Sequence, residues 1–237
     1  MHNIQPINLA DPVTPEMNLY LYFKQVAGTL SPLSVQMLEF LVSSGTSRGW
    51  FPNTVQLTER FVDEHPAETI SATLSELIQH RLLYLDPEQP DRIVSIVGGI
   101  SQNKTAFRAM TDSNVAFYLL GALDALTVAP MLQKEVSIRT TCGQTGETIE
   151  LTVNDEGTWV GCNPSTVAGF LPGWDGSECI PTIMNRSRLF LHSTALNEWQ
   201  SANNDPDGLP LTQDTIRGVG MEMALALSEL YARISIS

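Results

Sequence analysis

Apolar positions recur with a helical period in the first third of the chain and alternate in its middle. Ser31 and Pro32 form a helix start, a hydroxyl to cap an orphan N–H followed by a ring with no N–H to leave unpaired. Val35, Leu38, Leu41 and Val42 follow at helical spacing, and Gly45 is expected to close the helix near Ser44. A second short helix is expected from Val55 to Val62. A third carries Ile70, Leu74, Leu77 and Ile78 on one face, with His80 and Arg81 at its C-terminal end, where positive charge suits the dipole. Next come Leu82–Leu85, the turn residues Asp86-Pro87 and an apolar stretch from Ile93 to Val97. Three helices followed by two short strands describe a winged-helix-like module over residues 31–100, behind an arm over 1–30.

The pattern changes after residue 100. A buried helix is expected over 114–128, ending before Pro130. Val136, Ile138 and Thr140 alternate along one strand and Ile149, Leu151 and Val153 along another, with turn residues Cys142 to Gly146 between them. Residues 154–181, rich in Gly, Pro, Asn and Asp, read as loops around short strands such as Trp159-Val160. Ile183 to His192 reads as a strand. A short helix through Glu198-Trp199, a loop over 203–208 and a last helix from Thr212 complete the chain, the last burying Ile216, Val219, Met223, Leu227 and Leu230. The fold class is α+β, with residues 101–237 as an α+β domain built on a central sheet.

Composition narrows the function classes. The 237 residues hold 13 Lys and Arg against 26 Asp and Glu, a formal net charge of −13, and 43% are hydrophobic, enough for a core. Such a chain repels phosphate, which argues against nucleic-acid and anionic-membrane partners. The winged-helix reading does not change this. Residues 1–100 hold five basic side chains (Lys24, Arg48, Arg60, Arg81, Arg92), and the third helix presents Glu68, Ser71 and Glu76 where a DNA reader needs Arg or Lys. Residues 115–132 are nearly long enough to span a bilayer, but Asp124 near their middle costs about 2.5–3.5 kcal/mol on insertion scales. A helix inside a protein core is the expectation.

The first residues, Met-His-Asn-Ile-Gln-Pro, do not resemble a signal peptide. Three cysteines, Cys142, Cys162 and Cys179, with no Cys-x-x-Cys pair, fit a cytoplasmic protein better than a disulfide framework. No histidine stands at ligand spacing from a cysteine, so neither a metal nor a cofactor is expected. Nucleotide loops, nucleophile elbows and His-Glu-x-x-His helices are absent. Gly218 and Gly220 read as helix-packing positions. What remains is Asp124, a carboxylate on an apolar helix, which the fold must satisfy, keep protonated or use.

From Phe117-Tyr118-Leu119-Leu120-Gly121-Ala122-Leu123-Asp124-Ala125-Leu126, through Val136-Ser137-Ile138 and Cys142-Gly143-Gln144-Thr145-Gly146, to Leu189-Phe190-Leu191 and Glu198-Trp199, the sequence resembles the organomercurial (alkylmercury) lyases. The resemblance covers roughly residues 30–232 and includes a winged-helix-like N-terminal domain. It implies a chemistry in which two cysteines hold mercury and an aspartate protonates the leaving carbanion. The aspartate falls on Asp124. The first cysteine, three residues earlier, falls on Gly121, and the second falls on Met184, beside Asn185. Cys142 falls on a hairpin cysteine read as structural. Neither mercury-holding position is a thiol in this chain.

The resemblance therefore implies the fold without the named reaction. Gly121 is expected to open volume beside Asp124, lined by Met184, with Tyr118, Asn185 and Arg186 as further substrate-binding candidates; on a regular strand Arg186 shares the parity of Met184 and Asn185 points away. Three readings fit. The first is an enzyme using Asp124 as general acid or base on a small organic molecule, as a lyase, isomerase or cyclase of the kind found in specialised metabolism. The second is a non-catalytic small-molecule binding protein. The third is a mercury lyase using a remaining cysteine, Cys179.

Overall fold

The computed structural model describes residues 22, 25–96, 98–173, 179–203 and 208–232, with backbone only for 222, 223 and 226–231. Most of the arm expected over 1–30, Val97, most of the 203–208 loop and the side chains of Met223, Leu227 and Leu230 lie outside the described residues.

Three helices open the described chain: α1 (Pro32–Arg48), α2 (Thr54–Phe61) and α3 (Ala67–Gln79). Ser31 caps α1 as expected, its hydroxyl accepting from the Ser34 N–H at 3.1 Å. The helix does not close at Gly45, however. It runs four residues further and ends at Gly49, whose φ of 72° suits a residue without Cβ. Gly45 serves packing instead, since a Cβ there would lie 2.6 Å from the Phe51 ring. An Asn53/Gln56 capping box starts α2.

The strands β1 (Leu83–Leu85), β2 (Ile93–Ile96), β3 (Ile100–Ser101), β4 (Phe107–Met110), β5 (Ala116–Leu119), β6 (Val136–Thr141), β7 (Thr148–Val153) and β8 (Trp159–Asn163) form one antiparallel sheet, in the order β1-β2-β3-β5-β4-β6-β7-β8. The boundary expected near residue 100 falls between two paired strands of this sheet, β2 and β3. One face is apolar, with Phe107, Ala109, Phe117, Leu119, Ile138 and Leu151 all buried. Helices α1 and α4 (Ala122–Leu132) pack on the sheet. A smaller sheet follows, made of β9 (Ala168–Leu171), β10 (Arg188–Phe190) and β11 (Leu209–Leu211) in the order β10-β9-β11. Between its strands lie α5 (Ile180–Arg186) and α6 (Ser193–Asn203), and α7 (Gln213–Ala232) closes the described chain. Trp199 of α6 packs at a tilt against the Phe170 and Phe190 rings, fixing this sheet to its helix. Of the two α7 glycines, Gly220 allows the close packing expected, a Cβ there falling 2.7 Å from Leu126 of α4. Gly218 faces open space.

Two expectations fail in ways that matter for the site. The helix read over 114–128 is a strand followed by a helix: residues 116–119 pair with both β3 and β4, and α4 starts after Gly121 and continues through Pro130. Proline has no N–H to give the Leu126 carbonyl one turn back, and the helix runs only two residues beyond it, Gln133 already being left-handed. The strand read over 183–192 is borne out only at Arg188–Phe190, because residues 183–186 belong to helix α5. Pro181 in its first turn is pre-set for helical φ, and strand β10 begins only at Arg188. Among the described residues no helix is long and apolar enough to cross a membrane.

Candidate functional site

Asp124 occupies the third position of α4, 5% exposed. Gly121, the residue before the helix, has no side chain to cap it. The carboxylate of Asp124 reaches back instead, Oδ2 accepting from the Gly121 N–H at 3.1 Å. The next orphan donor is met from a distant part of the chain: the Ala122 N–H donates to Ser187 Oγ at 2.7 Å, and that hydroxyl donates to the Met184 carbonyl at 2.6 Å. The end of α5 is thereby tied to the start of α4.

A glycine turn covers the carboxyl group. Gly98 and Gly99, between β2 and β3, have φ of 79° and 70°, a conformation L side chains rarely adopt. A Cβ on Gly99 would fall 1.9 Å from Asp124 Cγ, so bare backbone lies against the carboxylate. The Leu120 N–H donates to the Gly99 carbonyl at 2.8 Å and fixes the turn in place.

This packing corrects the expected cavity at Gly121. A Cβ there would lie 1.9 Å from the Met184 carbonyl oxygen and 2.2 Å from Ser187 Oγ. The space vacated by the missing side chain is filled by α5. Met184 does come to Gly121, and its side chain is buried. Asn185 is exposed and Arg186 half-buried, both on a helix, so the strand-parity argument for their directions does not apply. Tyr118 is on strand β5, cross-paired with Arg108 on the sheet face opposite to buried Phe117 and Leu119, and is not brought to Asp124. Cys179 caps α5 at its far end, exposed, its thiol 2.9 Å from Thr182 Oγ1. Five residues of helix rise place it roughly 7.5 Å along the axis from Met184. Cys142 is buried in the hairpin turn. Sequence reasoning missed Gly99 and Ser187. The Gly98-Gly99 pair was legible as a turn, whereas nothing near Ser187 marks its partner.

Electrostatics at Asp124 follow from burial. Desolvation raises its pKa to about 7, against which the Gly121 N–H and its own N–H act more weakly. Below that pH the group is a neutral acid, and above it a buried anion with one hydrogen bond from Gly121 and no ion pair to a described residue. The folded state therefore holds this proton more tightly than the unfolded chain. Stability from this group is complete below 3.8 and declines as pH rises toward about 7. Urea unfolding of the native protein and Asp124→Asn across this range checks the sign: the stability difference should shift in favour of the variant as pH rises. A pH-independent difference would show that the carboxyl group titrates normally.

The residues gathered here can hold or move one proton and present no thiolate. Among the described residues, no three His, Cys, Asp or Glu side chains cluster as a metal site would require. The family model for alkylmercury lyase matches residues 100–224, a stretch that includes β3 to β11, Asp124, Gly121, Met184 and Ser187. A solved structure, the mercury-bound form of MerB2, is similar with a TM-score of 0.69 at 19% identity, over 88% of this chain and 98% of that one. No curated protein sequence matches. With more than half of its length matched by the family model, the chain belongs to the alkylmercury lyase family.

Proposed function

We propose that this family member performs proton-transfer chemistry on a small organic molecule, with Asp124 as general acid or base, and no longer cleaves carbon–mercury bonds. The observation that carries the reading is the state of Asp124: a carboxyl group with no ion pair to a described residue, buried against the Gly99 backbone and poised to titrate near neutral pH. A general acid works best when its pKa lies near the working pH. The family's two thiol positions, Gly121 and Met184, supply no thiolate to grip mercury, so the proton-donating half of that chemistry stands alone.

The carboxyl group lies against the Gly99 backbone and caps the start of α4, which Ser187 ties to the end of α5. Incubating the purified protein in deuterium oxide with small-molecule extract of the cell that makes it tests the reading. One metabolite should gain deuterium or change mass with the native protein and not with Asp124→Asn. A metabolite that is retained by both proteins without chemical change would instead identify a non-catalytic carrier.

The loss of mercury chemistry is tested separately. Phenylmercury supplied with excess external thiol should release no mercury above the protein-free rate, because no thiol pair stands beside Asp124. Turnover abolished by Cys179→Ser would assign the reaction to that cysteine, despite its place at the opposite end of α5.

A further inference from the structure

The solvent face of the large sheet holds a row of polar side chains that the Asp124 site does not use. Strand register places Tyr118 of β5, Arg108 of β4, Arg139 of β6, Glu150 of β7 and Asn163 of β8 side by side across five neighbouring strands. Directly opposed residues share a face, and the residues between these in sequence, such as Phe107, Ile138 and Leu151, are buried on the other. Arg108 and Arg139 are thus immediate cross-strand neighbours. Like charges in that position are destabilising. The pairing is conspicuous in a chain with 13 basic residues and a net charge of −13.

The row is only partly neutralised. Arg139 Nε stands 3.7 Å from Glu150 Oε1, with both side chains more than half exposed, a contact that contributes little. Arg108 makes no ion pair with a described residue. Arg108, Arg139, Glu150, Met110, Ser137 and Thr152 line a surface depression of about 280 Å³.

We propose that this depression binds a small multivalent oxyanion, held between the Arg108 and Arg139 guanidinium groups with the hydroxyls of Ser137 and Thr152 as further donors. Guanidinium forks match phosphate and carboxylate oxygens, and one dianion removes the repulsion between the two arginines. The volume suits a small ligand carrying two or three anionic groups, just below the 300–1,000 Å³ usual for larger ligands. A long polyanion is disfavoured by the protein's overall negative field, which a small ion meets far less. Glu150, on the rim, opposes the anion and competes for Arg139. This inference is independent of the Asp124 reading.

Calorimetric titration of the full chain with inorganic pyrophosphate and with tricarballylate, at fixed ionic strength in chloride, tests it. At least one probe should bind saturably, and which one does so identifies phosphate or carboxylate as the preferred group. Arg108→Gln and Arg139→Gln should each weaken binding about tenfold or more, the scale of one lost charge-assisted hydrogen bond. Glu150→Gln should tighten it. All three positions are exposed, so the variants should melt at or above the native temperature without ligand. The proposal is overturned by the absence of saturable binding at millimolar probe, or by native affinity in both arginine variants.

Discussion

Replacing Gly121 with cysteine will destabilise the protein severely and will not return a mercury-binding thiol to Asp124. The first atom of any side chain at this position would fall 1.9 Å from the Met184 carbonyl oxygen. A main-chain atom cannot rotate aside, so α5 must shift as a body. That shift breaks the hydrogen bonds joining Ala122, Ser187 and Met184. Overpacking against adaptable side chains costs about 1–3 kcal/mol, and each buried hydrogen bond lost without replacement adds roughly 1 kcal/mol or more. A total near 4 kcal/mol is expected, which lowers the melting temperature of a chain this size by about 10 °C. Scanning calorimetry of Gly121→Cys measures it. Ser187→Ala separates the two obstacles: it removes the hydroxyl 2.2 Å from the new Cβ but leaves the carbonyl, so the double variant should gain little over Gly121→Cys. Melting of Gly121→Cys within about 2 °C of the native protein would show that α5 does not pack on Gly121 as described.

The same contact explains where sequence reasoning stopped. The aspartate, its glycine neighbour and Met184 were all legible as positions of a family motif, and the structure brings those three together. A missing side chain in a sequence, however, does not say which neighbour takes its place. Here the occupant is set by a hydrogen bond spanning 65 residues. Alternation made β6 and β7 readable, and the helical period made α1 and α3 readable, because each buries one face. The run from 115 to 132 is apolar on every side, so no period separates strand from helix. Pairing of β5 with β3 and β4 decides it, and that pairing placed Tyr118 on the solvent face beside Arg108. The helix α5 carried one readable mark, Pro181 just after its cap, which the apolar stretch following it outweighed.

Asp124→Asn will lower turnover by a hundredfold or more while leaving the fold intact, if the carboxyl group is the proton donor or acceptor proposed. The amide keeps an oxygen to accept from the Gly121 N–H, so the start of α4 stays satisfied. It removes the one proton that can be exchanged, and acid–base catalysis contributes about 10²–10⁴-fold. Stability should move the other way. Above about pH 7 the native protein buries an anion with no ion pair to a described residue, a cost the neutral amide does not carry, so the variant should be at least as stable there. The rate profile of the native enzyme then names the role: activity falling as pH rises through about 7 marks an acid, and activity rising through it marks a base. A purely structural Asp124 makes the opposite prediction on both axes. Its amide variant would lose stability in proportion to any lost activity and would leave the shape of the pH profile unchanged. Native turnover in a well-folded Asp124→Asn protein would remove this residue from the chemistry altogether.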